Sequence, residues 1–142
     1  MIRYLFDTNV ISEVVKPQPN PVVLERYQQH QTEGALTSTV LHELLYGVER
    51  WLTGKRRTEL DRYFDEVVRQ TLPILPFDQV AAEWLARERA RMAALGTPRP
   101  VLDGMIAAVA ATQSLVLVTR NVADFEGFDG LTVENLFEHG GS

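Results

Sequence analysis

The 142-residue chain contains no cysteine. That absence removes a disulfide scaffold, a thiolate zinc site and a cysteine nucleophile together. Its histidines, His30, His42 and His139, are far apart, and none belongs to the H-x-x-x-H pair of a zinc hydrolase. Long apolar runs are missing as well. The longest, Met105–Ala111, falls well short of the roughly 18–20 residues that span a bilayer. Met1 leads straight into a short strand-like run without an apolar leader or a small-residue cleavage site, so a soluble, cytoplasmic protein without membrane contact is expected. Basic charge is scarce, 14 Lys+Arg against 19 Asp+Glu. This balance counts against a protein that grips nucleic acid over a broad basic surface. It does not exclude an enzyme that meets phosphates through bound cations, because such ions reverse the local sign of an acidic pocket. No P-loop, G-x-G-x-x-G turn or G-x-S-x-G elbow occurs.

Apolar residues make up 45% of the chain, which suits a globular core rather than disorder. At this length about two-thirds of the unfolded surface is buried on folding. A single domain over residues 1–142 is expected, with residues from about 138 onward as a frayed tail. The arginines cluster at Arg56, Arg57 and Arg62 and again at Arg87, Arg89, Arg91 and Arg99. They suit either solvated helix faces or a rim that tracks phosphates.

Ile2–Phe6 reads as a strand that ends at the polar triplet Asp7-Thr8-Asn9, followed by a short helix over Val10–Val15 that Lys16-Pro17-Gln18-Pro19 stops. Pro21 opens a helix to about His30. After a brief strand at Ala35–Thr37, the helix Thr39–Arg50 places Val40, Leu41, Leu44, Leu45 and Val48 on one face. Lys55–Gln70 reads as a charged helix with Leu60, Phe64, Val67 and Val68 inward, and Pro73–Pro76 as a short extended piece. Asp78 is placed to cap a helix through Leu95 that Gly96 closes. Leu102–Thr112 is apolar nearly all round and should lie in the interior. Trp51, Trp84 and Met92 sit at core-like helical spacing. Leu115–Val118 is a continuous apolar run, as in a strand covered on both faces, and Leu131–Val133 is a last strand. Strands alternating with helices predict an α/β fold around a mostly parallel sheet, whose ligand site lies outside the carboxyl ends of the strands.

That rule selects four acids. Asp7 follows the first strand, and Asp124 follows the LVLV strand by six residues. Asp103 is the lone charge near the start of the buried helix. Glu43 sits off the apolar stripe of its helix, above Gly47, whose missing side chain leaves room for a ligand. Singly, each has an ordinary reading as a cap, a turn or a solvated residue. Gathered in one pocket they would repel and some would protonate, unless a hard divalent cation joined them. Mg²⁺ and Mn²⁺ favour oxygen donors, activate water and neutralise phosphoryl charge. The reaction class inferred from the residues is phosphodiester hydrolysis. Arg120 suits either a substrate phosphate or an internal ion pair.

Asp7-Thr8-Asn9-Val10-Ile11-Ser12, Glu43 in LHELLYG, Asp103 in LDGMIAAVA and Asp124 in LVTRNVADF together resemble the PIN domain. More narrowly the chain resembles VapC-type toxins of the FitB-like branch, from Met1 to about Phe137. The resemblance implies a three-layer α/β/α fold and Mg²⁺- or Mn²⁺-dependent endoribonuclease activity on structured RNA. It also implies a metal held by Asp7 and Asp103, with Asp124 and Glu43 completing the cluster, and Thr8, Asn9 and Thr119 orienting the carboxylates. Further implied are a homodimer and a small VapB-like antitoxin that plugs the site and contacts DNA on behalf of both. Two positions depart from the pattern. Asn121 stands where many members carry a further acid, and Asn135-Leu136 stands where the FitB-like branch has Asn-Pro.

Two other readings compete. An aspartate-nucleophile phosphatase of the haloacid-dehalogenase type wants a second acid two residues after the first, where this chain has Asn9. An inert PIN-like module would dock onto a partner without turnover. Phospho-receiver domains need a lysine after the last strand, and only Lys16 and Lys55 occur.

Overall fold

A computed structural model describes residues 1–51, 54–69 and 71–137. Five strands and six α-helices alternate along it: β1 (Tyr4–Phe6), α1 (Thr8–Val14), α2 (Pro21–His30), β2 (Gly34–Thr37), α3 (Ser38–Trp51), α4 (Gly54–Tyr63), β3 (Ile74–Leu75), α5 (Gln79–Ala94), α6 (Val101–Thr112), β4 (Val116–Val118) and β5 (Thr132–Glu134). The sheet runs in the order β3-β2-β1-β4-β5, and every neighbouring pair is parallel. Successive side chains of a strand point to opposite faces. Leu5 and Phe6, Ala35 and Leu36, and Leu117 and Val118 are all fully buried, so helices cover the sheet on both sides. This is the expected three-layer α/β/α arrangement.

The chain moves outward from β1 through β2 to β3, then returns across the sheet to β4 and β5. The order therefore reverses between β1 and β4. A parallel sheet opens a crevice outside its carboxyl ends at such a switch. Asp7 and Thr119, the residues that follow β1 and β4, both stand there.

Local signals account for most boundaries. Asn20 caps α2, its Oδ1 accepting from the Val22 and Val23 amides at 2.9 and 3.2 Å, with Pro21 in the first turn. Asp78 caps α5 through the Ala81 amide at 2.9 Å, and Gly96 closes it at φ +76°. Gly104 and Ile106–Ala110 of α6 are buried as expected, whereas Val101 and Leu102 in its first turn are exposed. Trp84 and Met92 pack in or against the core, and the Trp51 side chain lies outside the described residues.

The segment expected as one helix over Lys55–Gln70 departs from that reading. It is α-helical over Gly54–Tyr63 and then π-helical over Phe64–Arg69. Leu60, Phe64 and Val68 are buried from the two parts, and the wider π turn still delivers an inward stripe. The expected inward side chain of Val67 lies outside the described residues, as do residues 138–142 of the expected tail.

Gly34 opens β2 against the ring of Phe6. A Cβ there would collide with the Phe6 ring, which is itself fully buried and has no room to move. Gly34→Ala is expected to lower stability by about 1–3 kcal/mol through overpacking, read as a drop in Tm by thermal denaturation. An unchanged Tm would show that the contact between β2 and the Phe6 ring is not tight.

Candidate active site

Asp7 is buried to 6% exposure at the carboxyl end of β1. Its position is tied to the sheet through its own amide, which donates to the Val118 carbonyl at 2.9 Å. Its carboxylate also caps α1. Oδ1 accepts from the Thr8 amide at 2.8 Å, and Oδ2 accepts from Thr119 Oγ1 at 2.8 Å and from Asn9 Nδ2 at 3.3 Å. Thr119 Oγ1 in turn accepts from Asn9 Nδ2 and from the Asn121 amide, both at 3.1 Å. With its acceptor sites filled, the hydroxyl proton of Thr119 is committed to Asp7. The Arg120 amide donates to Asn9 Oδ1 at 3.0 Å and locks the loop after β4 to the start of α1.

Glu43 reaches the same place from α3. Thr8 Oγ1 donates to its Oε1 at 2.9 Å across 35 residues of sequence, so one threonine links the Asp7 cap to the Glu43 carboxylate. Asp103 enters from the first turn of α6. Asp7, Glu43 and Asp103 all line one open pocket of about 440 Å³, together with Ser12, Lys16 and Arg120. Asp124 lies in a 3₁₀ turn after β4, exposed and outside that lining, yet close enough to act electrostatically on both Asp7 and Asp103. Three of the four acids expected from the sequence share the pocket, and the fourth stands within Coulombic reach.

The electrostatics follow from this crowding. Burial pushes the Asp7 carboxyl above its ordinary range and the Asp124 charge adds to that, while the Thr119 hydroxyl and Thr8 amide oppose it. Burial also raises Glu43, with Asp7 adding to it and Thr8 opposing. Asp103 is pushed to about 6, first by burial and then by the charges of Asp7, Asp124 and Glu43, with Arg99 opposing. Among the described residues no three acids or histidines are already drawn onto one cation-sized point. All four are hard oxygen donors, which fits a divalent cation of the Mg²⁺ or Mn²⁺ type.

The remaining candidates separate clearly. His30 stacks on Tyr4 at 4.0 Å between ring centres, with Nε2 3.1 Å from Glu134 Oε1, and serves packing between α2 and the sheet. His42 is exposed beside Tyr46, and His139 lies outside the described residues. Two residues of the pocket wall escaped the sequence reading. Glu13 accepts from Lys16 Nζ at 3.0 Å and from the Asn20 amide at 3.1 Å, and Lys16 itself lines the pocket. The i, i+3 spacing of this pair was the available signal.

The raised Asp103 pKa makes a stability prediction. In EDTA the Asp103 charge costs the folded protein nothing below its unfolded value of 3.8, and the cost is complete above about 6. Asp103→Asn is expected to be more stable than the parent at pH 7 by about 1 kcal/mol, solvent screening having reduced the effect of a part-exposed group. That advantage should fade as pH falls toward 4. Chemical denaturation across this pH range reads it, and a constant difference at all pH values would contradict the stated cause.

Comparison with known proteins places this geometry in a family. The PIN domain model matches residues 4–130. The tRNA(fMet)-specific endonuclease VapC of Salmonella typhimurium is 32% identical over 135 residues, covering 95% of this chain and 98% of the relative. Toxin FitB of Neisseria gonorrhoeae is 34% identical over 128 residues, covering 88% of this chain and 92% of the relative. Solved structures agree. FitAcB from Neisseria gonorrhoeae matches with a TM-score of 0.88 at 33% identity, over 96% of this chain and 99% of that one. DNA-bound VapBC from Salmonella typhimurium matches with a TM-score of 0.83 at 32% identity, over the same shares. A parallel sheet with acids at its switch point, matched over nearly its whole length, makes this chain a member of the PIN domain family, alongside the VapC and FitB toxins.

Proposed function

We propose that this chain is a single-domain, Mg²⁺- or Mn²⁺-dependent endoribonuclease that hydrolyses RNA phosphodiester bonds as the toxin of a VapBC-like toxin–antitoxin pair. One observation carries the reading. Asp7, Glu43 and Asp103 converge beyond the carboxyl ends of β1 and β4, and burial raises the pKa of each, with Asp124 adding to it at Asp7, Asp7 at Glu43, and Asp7, Asp124 and Glu43 at Asp103. In this reading Asp7 and Asp103 hold the cation, and Glu43 and Asp124 complete its shell, one or both through water. When bound, the ion supplies an activated water and neutralises charge gathering on the phosphoryl group.

The chain's own residues do the positioning. Thr119 and Asn9 fix Asp7 Oδ2, leaving the carboxylate one orientation toward the pocket. Thr8 holds Glu43 at the pocket wall. Oriented in this way, the acids need little rearrangement when charge develops in the reaction. Asn9 counts against the aspartate-nucleophile phosphatase, because its side chain is committed to Asp7, Thr119 and Arg120.

Partners follow from the relatives. A VapB-like antitoxin is the proposed inhibitor, and DNA is reached only through it, as the DNA-bound VapBC of the Salmonella relative suggests. The acidic pocket and the net charge of −5 suit a cationic plug from that partner. A homodimer acting on cytoplasmic RNA completes the proposal. No helix among the described residues is long and apolar enough to cross a membrane.

Purified protein freed of its antitoxin is expected to cleave RNA with Mg²⁺ or Mn²⁺ and to stop on addition of EDTA, as read on a denaturing gel. Asp7→Asn should lower cleavage by about a thousandfold or more while the fold and Tm are kept. Full cleavage by a folded Asp7→Asn protein would falsify the assigned role. Thr119→Val removes the hydroxyl that orients Asp7. It should cost about ten- to a hundredfold in activity at saturating metal or in metal affinity.

A further inference from the structure

Among the described residues the cations lining the acid pocket are Lys16 and Arg120, and they are held in different ways. Lys16 Nζ sits 3.0 Å from Glu13 Oε1. Arg120 is exposed, and among the described residues no acidic side chain stands within ion-pair distance of it. Its guanidinium lies instead over the Phe137 ring, 4.5 Å from the ring centre. The acid that feels its charge is Glu13, which already accepts from Lys16 and from the Asn20 amide. The cation that opposes the raised Asp103 is Arg99, from another part of the chain.

Both partners of the ring contact are fixed from behind. The Arg120 amide donates to Asn9 Oδ1 at 3.0 Å, and the preceding Thr119 amide donates to the Glu134 carbonyl of β5 at 3.0 Å. On the other side Leu136 is fully buried, and its carbonyl accepts from Arg26 Nη1 at 3.1 Å. The Phe137 amide closes an Asx turn onto Asn135 Oδ1 at 2.8 Å. Parallel pairing of β4 with β5 thus sets the exits of the two strands side by side, one carrying Arg120 and the other Phe137.

From this arrangement we infer that Arg120 is a catalytic residue that contacts the scissile phosphoryl group, and that Phe137 is the positioning residue that holds it ready. The inference rests on the ribonuclease reading. An arginine beside several carboxylates gains most by folding onto the nearest one, which would commit its N–H donors and weaken the acids as metal ligands. A ring face attracts the guanidinium through its π-cloud and leaves the in-plane N–H groups available. Arg120 therefore stays at the pocket with its charge uncancelled. Of the two roles open to it in the sequence, the internal ion pair is not the one it takes. The non-bridging oxygens of a phosphodiester, where negative charge gathers during hydrolysis, match its planar fork. Arg120 makes and breaks no bond in this role; it donates hydrogen bonds to those oxygens and offsets their charge.

Kinetics of RNA cleavage by the full chain, freed of its antitoxin and supplied with Mg²⁺, test both roles. Arg120→Ala should lower kcat about a hundredfold while KM changes less than about threefold, as for charge stabilised chiefly in the transition state. Arg120→Lys, which keeps the charge but not the planar fork, should fall between. Phe137→Leu should lower kcat about fivefold, the worth of one exposed cation–π contact, and Phe137→Tyr, which keeps the ring face, should restore it. In an Arg120→Ala background Phe137→Leu should change nothing further, whereas a purely structural residue would lower kcat in either background. In the metal-free protein the Arg120 Nε–H resonance should lie upfield through the Phe137 ring current and move downfield in Phe137→Leu. Unchanged kcat in Arg120→Ala, or a Phe137→Leu loss that persists without Arg120, overturns the inference while the ribonuclease reading stands. An inactive wild-type chain ends both, so the two failures are distinguishable.

Discussion

A carboxylate withdrawn from water at the split between β1 and β4 is the constraint on which the site depends. Asp7 is buried to 6%, and burial alone would drive it toward the neutral acid. Three donors oppose that drift: the Thr8 amide, the Thr119 hydroxyl and the Asn9 amide group. Each comes from an element that the fold has to bring close. Parallel pairing of β1 with β4 delivers Thr119, and the immediate turn from β1 into α1 delivers Thr8 and Asn9. The same pairing that completes the sheet therefore aims the carboxylate.

Charge of the same sign then accumulates around Asp7 rather than being neutralised. Asp103 approaches from α6 and Glu43 from α3, while Asp124 acts from the turn beyond β4. The nearby cations do not cancel them. Lys16 is paired with Glu13, and Arg120 lies over Phe137. Raised pKa values at several neighbouring acids are a cost in folded stability that an ordinary core avoids, and such costs collect at functional sites. A divalent cation converts that repulsion into attraction, which couples metal affinity to the arrangement of the acids.

Much of this was legible along the chain because it depends on local rules. Asp78, Gly96 and Pro21 mark helix ends by capping chemistry, which needs no tertiary partner. Asp7 was found because an acid straight after an apolar strand falls at the carboxyl edge of a parallel sheet. Asp124 was placed correctly after β4 but stands outside the pocket lining, since sequence distance from a strand does not fix where a turn points its side chain. The hydrogen bond of Thr8 to Glu43 spans 35 residues and was invisible to periodicity. The π turn at Phe64–Arg69 keeps a buried stripe nearly indistinguishable from that of an α-helix, so the pattern alone did not reveal it. Arg56 and Arg57 are adjacent and alike in sequence. Only the fold separates Arg56, which lines a hollow between α3 and α4, from Arg57, which pairs with Glu49 and Asp61.

Joint binding of one cation by these acids requires the protonated ones to lose their protons, so metal binding should release protons to solvent. At pH 6 Asp103 is about half protonated, and it would have to shed that proton to become a ligand. Calorimetric titration of Mg²⁺ or Mn²⁺ in two buffers of different ionisation enthalpy should show release of roughly half a proton or more per ion bound, reduced in Asp103→Asn. Metal binding without proton release, or release identical in the two proteins, would show that Asp103 does not join the other acids on one cation.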